Sequence, residues 1–294
     1  MSDVEMRFGV VQPKEQPADY AGFVSFVVDN DFQWAELKHE PGMDPQAIAT
    51  SRKALELGLR LKEAGVGVSV HARHTGVNIG STKTSELEDA MRAYWQSLEF
   101  AAALGAAYLT VHGGHILLTP HNTQSETDIE KMKSATVSTL AMLVKDAAHH
   151  EITVSLENLT AFGGLEKRRW PKYPSEMREC RSGICASSGR DRVSYTVDTG
   201  HLHGLGHRPE LFIRELGAAH VRLAHIHDND GSADQHGIPG TGTIDFPALL
   251  HAYAAEQWQF PWLFEVSSRE AALESRERIR ALDITARASS VIGN

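Results

Sequence analysis

Cysteine is scarce in this sequence, which contains only Cys180 and Cys185 among its 294 residues. Two thiols at CX4C spacing do not match the spacing typical of a cysteine zinc site. They are also too few for the disulfide framework of a small secreted domain. We therefore expect two free thiols, lying together in one loop, in a reducing compartment.

Long apolar runs are absent as well. No stretch approaches the roughly 20 apolar residues that a membrane-spanning helix needs. The first residues, MSDVEMRFGVV, lack the basic and then apolar order of a secretory signal. We therefore expect a cytoplasmic protein that does not contact membranes.

Basic residues are fewer than acidic ones, with 29 Lys and Arg against 38 Asp and Glu and a net charge of −9. This balance disfavours a broadly basic surface for nucleic acid. One local exception runs from Thr160 to Arg192 and carries eight Lys or Arg against four Asp or Glu. Its Lys167-Arg168-Arg169 cluster is compatible with an anion clamp over a pocket, or with a helix and loop that only face water.

Hydrophobic residues make up 41% of the chain, and its length suits one α/β barrel. Short apolar runs predict eight strands: Arg7–Val11, Trp34–Lys38, Val66–His71, Ala107–His112, Ile152–Glu157, Val193–Asp198, Val221–His227 and Pro261–Val266. Between them, helical spacing or composition predicts helices at Pro45–Ala64, Thr84–Leu104, Asp128–His149, Pro209–Leu216, Phe246–Glu256 and Arg269–Leu282. Strands that alternate with helices pair in parallel, so the sequence predicts a (β/α)8 TIM barrel, an α/β fold, as a single domain over residues 1–294.

The segment from Leu223 to Phe246, LAHIHDNDGSADQHGIPGTGTIDF, concentrates histidine and aspartate. Because alternate side chains of a strand share a face, His225 and His227 point the same way. Asp234 and His236, in the glycine-rich loop that follows, could reach back over the same pocket. Imidazole and carboxylate are the usual ligands of zinc, manganese and iron, so this composition indicates a metal site.

Metal-competent side chains also end six of the predicted strands, at the end of a TIM barrel where active sites form. His201 follows Asp198 by three residues, at the start of a predicted loop. One ion takes about four to six ligands, so a larger set indicates several metals or one metal with substrate-binding groups. Glu36, near the end of the second predicted strand, points toward the same pocket, where it could contact substrate or orient a ligand. The nine candidate ligands are His71, His112, Glu157, Asp198, His201, His225, Asp234, His236 and Glu265.

Six motifs, in order along the chain, resemble the superfamily of xylose isomerase-like TIM barrels. They are VHARHTGVNIGS, LTVHGGH, SLENLT, TVDTGHLHG, HIHDNDGSADQHGIPGTGTIDF and LFEVSS. This superfamily joins sugar phosphate isomerases and epimerases with apurinic endonucleases of the endonuclease IV type. The resemblance extends over about Arg7 to Ser268.

In the isomerase and epimerase branch, the resemblance implies one divalent ion of manganese, zinc, cobalt or iron. Its ligands would be Glu157, Asp198, His225 and Glu265, and the ion would stabilise an enediolate of an open-chain sugar. Glu157 and Glu265 would transfer the proton as an acid/base pair. His201 and His236 would hold substrate hydroxyls. His227 and Glu36 are further candidates for substrate binding, which the resemblance does not assign.

In the endonuclease branch, the resemblance implies three zinc ions. His71, His112 and Glu157 would hold the first. Glu157 would share the second with Asp198, His225 and Glu265, and the third would lie on His201, Asp234 and His236. Two loops depart from the endonuclease pattern, VVQPKEQPADY after the first strand and NLTAFGG after Glu157. These departures put DNA binding in doubt while leaving the metal ligands intact.

The sequence therefore predicts a divalent-metal-dependent isomerase or epimerase of a small sugar or sugar phosphate, with one to three ions. Two alternatives stay open. One is a trinuclear zinc phosphodiesterase of the endonuclease IV type, and the other is a barrel that binds a metal or sugar without catalysis. The sequence also leaves open whether the chain forms homo-oligomers.

Overall fold

Eight parallel strands close into a barrel whose hydrogen-bonded order is β1-β10-β9-β8-β6-β4-β3-β2. The computed structural model describes residues 6–15, 19–39, 52–117, 126–160 and 167–292. The predicted TIM barrel is thus confirmed. That the domain extends over all of residues 1–294 stays a prediction. The barrel strands are β1 Phe8–Val11, β2 Trp34–Lys38, β3 Gly67–His71, β4 Tyr108–Val111, β6 Thr153–Glu157, β8 Val193–Asp198, β9 Val221–Ile226 and β10 Trp262–Phe264.

Helices connect the barrel strands and pack against their outer faces. A 3-10 helix, Ala218–His220, leads into β9. The helices are α1 Tyr20–Asp29, α2 Arg52–Glu63, α3 Thr84–Leu104, α4 Glu126–His149, α5 Pro174–Ser188, α6 Thr199–Gly204, α7 Pro209–Leu216, α8 Phe246–Ala255 and α9 Arg269–Ile292.

The predicted elements agree with these bounds to within a few residues, with the following differences. The first seven residues of the predicted helix Pro45–Ala64 lie outside the described residues. Helices α1, α5 and α6 were not predicted, and α9 extends to Ile292, ten residues beyond the predicted end at Leu282. Cys180 and Cys185 lie on α5, so the expected loop is wrong, whereas both thiols are free as predicted. A two-stranded antiparallel ribbon, β5 Gly114–Leu117 with β7 Lys167–Trp170, was also not predicted.

Apolar side chains fill the N-terminal end of the barrel interior. Val11, Leu223 and Leu263 form a buried cluster against which Trp34 and Tyr108 pack. Two glycines make room for the Trp34 side chain. A Cβ atom on Gly9 would lie 2.5 Å from Trp34 Cβ, and one on Gly67 would lie 2.2 Å from its indole Cε3. This layer closes the barrel at the end away from the metal-competent side chains.

Above this layer the barrel interior is polar, and one oxygen of Glu36 is hydrogen-bonded to two hydroxyl groups. Its Oε2 accepts from Ser69 Oγ at 2.7 Å and from Thr110 Oγ1 at 2.9 Å. Ser155 Oγ and Thr196 Oγ1 are 2.7 Å apart. Since buried polar groups are costly unless paired, this network fixes the floor on which the next layer of side chains lies.

Among the described helices, none combines the length and the apolar character that crossing a membrane requires.

Candidate metal centre

A cavity of about 240 Å³ opens above the polar floor, at the C-terminal ends of the barrel strands. Active sites of TIM barrels lie at this end because the strand-to-helix loops converge there. The cavity is lined by Lys14, His71, His74, His112, Glu157, Thr160, Arg169, His201, Asp234, His236 and Glu265.

Four side chains converge at the base of this cavity: Glu157, Asp198, His225 and Glu265. One ligand atom from each lies within 4.8 Å of the others, and all four residues are buried. β6, which carries Glu157, and β10, which Glu265 follows, are separated by β8 and β9 on one side of the barrel and by four strands on the other. Only these two glutamates of the four line the cavity.

His225 shows that this group of four fits a cation. Its Nδ1 lies 2.9 Å from Glu265 Oε2, 3.7 Å from Glu157 Oε1 and 3.9 Å from Asp198 Oδ2. None of these contacts has the direction of an imidazole hydrogen bond, so Nδ1 is buried without one among the described residues. A nitrogen facing three buried carboxylates, two Glu and one Asp, matches the ligand chemistry of a divalent metal.

The second nitrogen of His225 faces downward, toward the polar floor. Its Nε2 lies 2.8 Å from Glu36 Oε1. Burial lowers the pKa of His225, but the charges of Glu36, Glu265 and Glu157 outweigh it, so the pKa lies well above the usual histidine value. A carboxylate behind a ligating imidazole orients its ring and raises its basicity. Glu36 is completely buried and does not line the cavity, so its contact is with His225.

The two cavity-lining glutamates are held as carboxylates. Burial raises the pKa of Glu157, but nearby His112 and His225 outweigh it and bring the pKa well below its usual value. Burial also raises the pKa of Glu265, and Lys38 and His225 reverse that effect. Both side chains are therefore ionised at neutral pH and can act as bases or metal ligands.

Lys38 is a charged neighbour of this centre that sequence reasoning did not single out. Its Nζ lies 2.7 Å from Glu265 Oε1, in a pair that is almost completely buried. The signal was available, because alternation along β2 puts Lys38 on the same face as Glu36. Lys38 supplies the one lysine ammonium that pairs with the cluster of carboxylates within the described part of the chain.

A histidine group lies beside the four. His71 Nε2 and His112 Nε2 are 3.2 and 3.1 Å from the same oxygen, Glu157 Oε2. His74 completes the group, with one ligand atom from each histidine within 4.8 Å of the others. His74 was not among the nine predicted ligands, because it lies in a loop after β3 and no pattern indicates that the loop folds back. His71 and His112 are brought together as the resemblance implies.

A third group consists of His227, Asp234 and His236, again with ligand atoms within 4.8 Å of one another. His227 Nε2 also lies 3.0 Å from Asp198 Oδ1, which links this group to the four. Gly200 makes room for His227, because a Cβ atom there would lie 2.0 Å from the imidazole Cε1. The resemblance places His201 with Asp234 and His236, and the structure brings both His201 and His227 next to Asp234.

Asp228 positions the loop that carries Asp234 and His236. Its carboxylate accepts hydrogen bonds from the backbone N–H groups of Gly240 and Gly242, at 2.8 and 2.9 Å. Its own backbone pairs with Gly237 in a short antiparallel bridge. The loop is thereby folded back over the barrel, and His236 Nδ1 lies 2.9 Å from the carbonyl oxygen of Glu265.

His201 connects the groups from a helix, not from the predicted loop. Asp198 caps α6 by accepting a 2.7 Å hydrogen bond from the His201 backbone N–H. The His201 side chain then lies between two carboxylates, with Nδ1 3.2 Å from Glu157 Oε1 and Nε2 3.4 Å from Asp234 Oδ2. All nine side chains that the sequence nominates as ligands are therefore contiguous in the structure.

Known proteins share this fold over almost the whole chain. A crystal structure of a D-tagatose 3-epimerase-like protein superimposes with a TM-score of 0.79 at 20% identity, covering 97% of this chain and 100% of that one. L-ribulose 3-epimerase superimposes with a TM-score of 0.75 at 18% identity, covering 99% and 98%. In sequence, an uncharacterized protein of Methanocaldococcus jannaschii is 25% identical over 249 residues, 84% of this chain and 79% of the relative. The family model for xylose isomerase-like TIM barrels matches residues 24–283, and the chain belongs to that family.

Proposed function

We propose that this protein is a divalent-metal-dependent isomerase or epimerase that acts on a small sugar or sugar phosphate. The observation that carries the proposal is the position of the four side chains relative to the cavity. Asp198 and His225 lie beneath the cavity, whereas Glu157 and Glu265 reach into it from strands on different sides of the barrel. The likeness to sugar epimerases supports the same proposal.

Two carboxylates that face one small cavity suit proton transfer at carbon. A base must lie within hydrogen-bond reach of the proton it removes, and a second group must return a proton to the product. Glu157 and Glu265 are ionised, so either can take the proton from carbon. The glutamate that this step protonates can return the proton, or the other can do so after it has gained a proton from solvent, which would deliver it from a different direction. A divalent ion on the group of four would polarise the adjacent carbonyl and lower the pKa of the carbon-bound proton.

The imidazoles around the cavity suit a polyhydroxylated ligand. His71, His112, His201 and His236 all line it, and each presents ring nitrogens that can donate to or accept from a hydroxyl. His227 lies deeper and contacts Asp198, so we assign it to holding the carboxylate in place. Glu36 supports His225 in the same way. These roles replace direct substrate contact as the function of those two residues.

The test is hydrogen exchange at carbon. The metal-loaded protein is incubated in D2O with a panel of ketoses, aldoses and their phosphates, and NMR follows the loss of the proton next to the carbonyl. We expect exchange and a new epimer or isomer with at least one sugar, and no exchange with Glu157→Gln. A protein with tightly bound metal that exchanges no sugar proton contradicts the proposal.

A second function is favoured by one specific observation. The two histidine-rich groups next to the group of four give enough ligands for three ions, which is the arrangement of a trinuclear phosphodiester hydrolase. The same protein is therefore assayed on DNA with an abasic site. Strand cleavage that depends on His74 and His236 would assign the nuclease activity in place of sugar isomerisation.

A further inference from the structure

Arg169 brings a guanidinium group to the cavity from outside the barrel. It lies on β7, in the ribbon opposite His115 of β5. Side chains alternate along a strand, so Arg168 points to the other face of the ribbon. Arg168 is exposed, whereas Arg169 is half-buried and lines the cavity together with Glu157 and Glu265.

The guanidinium of Arg169 has no hydrogen bond and no ion pair within the described residues. Asp234 attracts the guanidinium through its charge but forms no hydrogen bond with it. Asp234 Oδ2 is directed at imidazoles, lying 3.4 Å from His201 Nε2 and 3.5 Å from His236 Nε2. Burial lowers the pKa of Arg169 and the charge of Asp234 raises it, but an arginine remains charged at neutral pH. A half-buried cation without a direct partner leaves hydrogen-bonding capacity for a ligand.

Two further polar groups line the cavity. Lys14, after β1, is exposed and presents an ammonium group, and Thr160, after β6, is buried and carries a hydroxyl. Three strands separate β1 from β6 in either direction around the barrel, so Lys14 and Thr160 approach the cavity from opposite sides. Arg169 shares the cavity of about 240 Å³ with Glu157 and Glu265 and is the cation on which the inference depends.

We propose that the part of the cavity around Arg169 is a subsite for an oxyanion on the substrate, with Arg169 as the residue that selects it. The inference rests on the proposed function and narrows its substrate to sugars that carry a phosphate or a carboxylate group. An arginine fork matches either oxyanion with two parallel hydrogen bonds. Such a group would otherwise be repelled by the cavity's carboxylates, so its recognition requires a cation that lines the cavity, as Arg169 does.

The adjacent Arg168 offers a matched control for the test. Metal-loaded wild-type protein, Arg169→Met, Arg169→Lys and Arg168→Met are titrated calorimetrically with inorganic phosphate and, separately, with acetate. We expect Arg169→Met to weaken binding of at least one anion about tenfold or more, since hydrogen bonds to charged groups are the strong ones. Arg169→Lys keeps the charge but loses the fork, so its loss is smaller. Arg168→Met stays within about twofold of wild type.

The identity of the more strongly affected anion assigns the substrate. A larger loss for phosphate indicates sugar phosphates, and a larger loss for acetate indicates sugar acids. Equal binding by wild type and Arg169→Met overturns the inference, as does an equal loss in Arg168→Met. Thermal unfolding of each variant verifies that the barrel is intact, and Arg169→Lys keeps the test valid if the methionine variant fails to fold.

These outcomes are separable from those of the proposed function. If anion binding depends on Arg169 but the protein exchanges no sugar proton, the subsite is supported and only the proposed reaction is contradicted. If the protein exchanges protons of neutral sugars but its anion binding does not depend on Arg169, the reaction is supported and only the subsite is contradicted.

Discussion

Lys38 Nζ lies 2.7 Å from Glu265 Oε1, and the side chains of this pair are only 4% and 9% exposed. The second oxygen of the same carboxylate lies 2.9 Å from His225 Nδ1. One buried carboxylate is thus shared between an ammonium and an imidazole of the proposed metal centre. A change at Lys38 should therefore affect both the free energy of unfolding of the barrel and the charge of Glu265 in the cavity.

Replacing Lys38 tests this relationship through stability. Lys38→Met removes the ammonium from one oxygen of Glu265 and leaves His225 as the cation beside the other oxygen. The cost should therefore lie below the roughly 3–5 kcal/mol of a buried charge that has lost its partner entirely. We expect that loss in the metal-free protein and a smaller one in the metal-loaded protein, because the ion supplies positive charge. The measurement is denaturant unfolding with and without metal.

Two controls belong to the Lys38 experiment. Lys83→Met breaks an exposed pair with Glu86 and should cost at most about 1 kcal/mol. The double variant Lys38→Met with Glu265→Gln should recover part of the loss, since neither charge is then left unpaired. If Lys38→Met behaves like Lys83→Met, the buried pair has no special role.

Replacing Glu265 tests its part in proton transfer. Glu265→Gln keeps the side-chain volume but removes a base, and general base catalysis contributes about 10²- to 10⁴-fold to a rate. We expect the rate of proton exchange at the sugar carbon to fall at least about 100-fold while the barrel remains folded. Glu86→Gln, at an exposed position on α3, is the control. Full activity of Glu265→Gln would exclude the assigned role.

Gly200 tests whether the position of His227 matters for the centre. A methyl group at residue 200 would overlap the His227 imidazole and push it away from Asp198. Loss of such an orienting contact lowers metal affinity by about 10- to 100-fold. We expect Gly200→Ala to weaken metal binding by that amount, measured by competition with a chelator. Gly183→Ala, on α5, should leave affinity unchanged, and an equal affinity in both variants would refute this role of His227.

The strands and the ligands were largely predictable because both depend on local patterns. Short apolar runs mark each barrel strand, and a histidine or carboxylate at the end of such a run must lie at the same rim as the others. The prediction failed where the pattern is ambiguous. Helix α1, YAGFVSFVVD, is rich in valine and phenylalanine, which also favour strands, so its helical state depends on packing against the barrel.

Other features could not be predicted because they depend on contacts between distant segments. The ribbon pairs β5 with β7, which are about 50 residues apart in the chain. Both strands are short, and β7 consists mainly of charged residues, so neither shows a strand pattern. Only that pairing shows which of Arg168 and Arg169 faces the cavity. His74 likewise acquires its neighbours from a loop that folds back. Lys38 is the exception, because its alternation with Glu36 already placed it inside the barrel.

His39 predicts how stability depends on pH. It is buried next to Ser97, and burial, with a smaller contribution from Arg73, lowers its pKa from 6.5 to about 4. Between these values the unfolded chain binds a proton that the folded chain does not. Stability therefore falls as pH decreases through this window and is fully retained above it.

The matching variant is His39→Asn, whose amide can form a hydrogen bond with Ser97 in place of the imidazole Nδ1. From about pH 7 to about pH 4.5 we expect wild type to lose on the order of 2 kcal/mol more than this variant, measured by urea unfolding. Equal losses would mean that His39 does not control the acid response.

The most direct test of the account is the number of metal ions bound per chain, determined by elemental analysis of protein purified without chelator. We predict about one divalent ion per chain, retained in His74→Ala and lost in His225→Ala. Three zinc ions per chain would contradict the isomerase proposal in favour of phosphodiester hydrolysis. An absence of bound metal would contradict both.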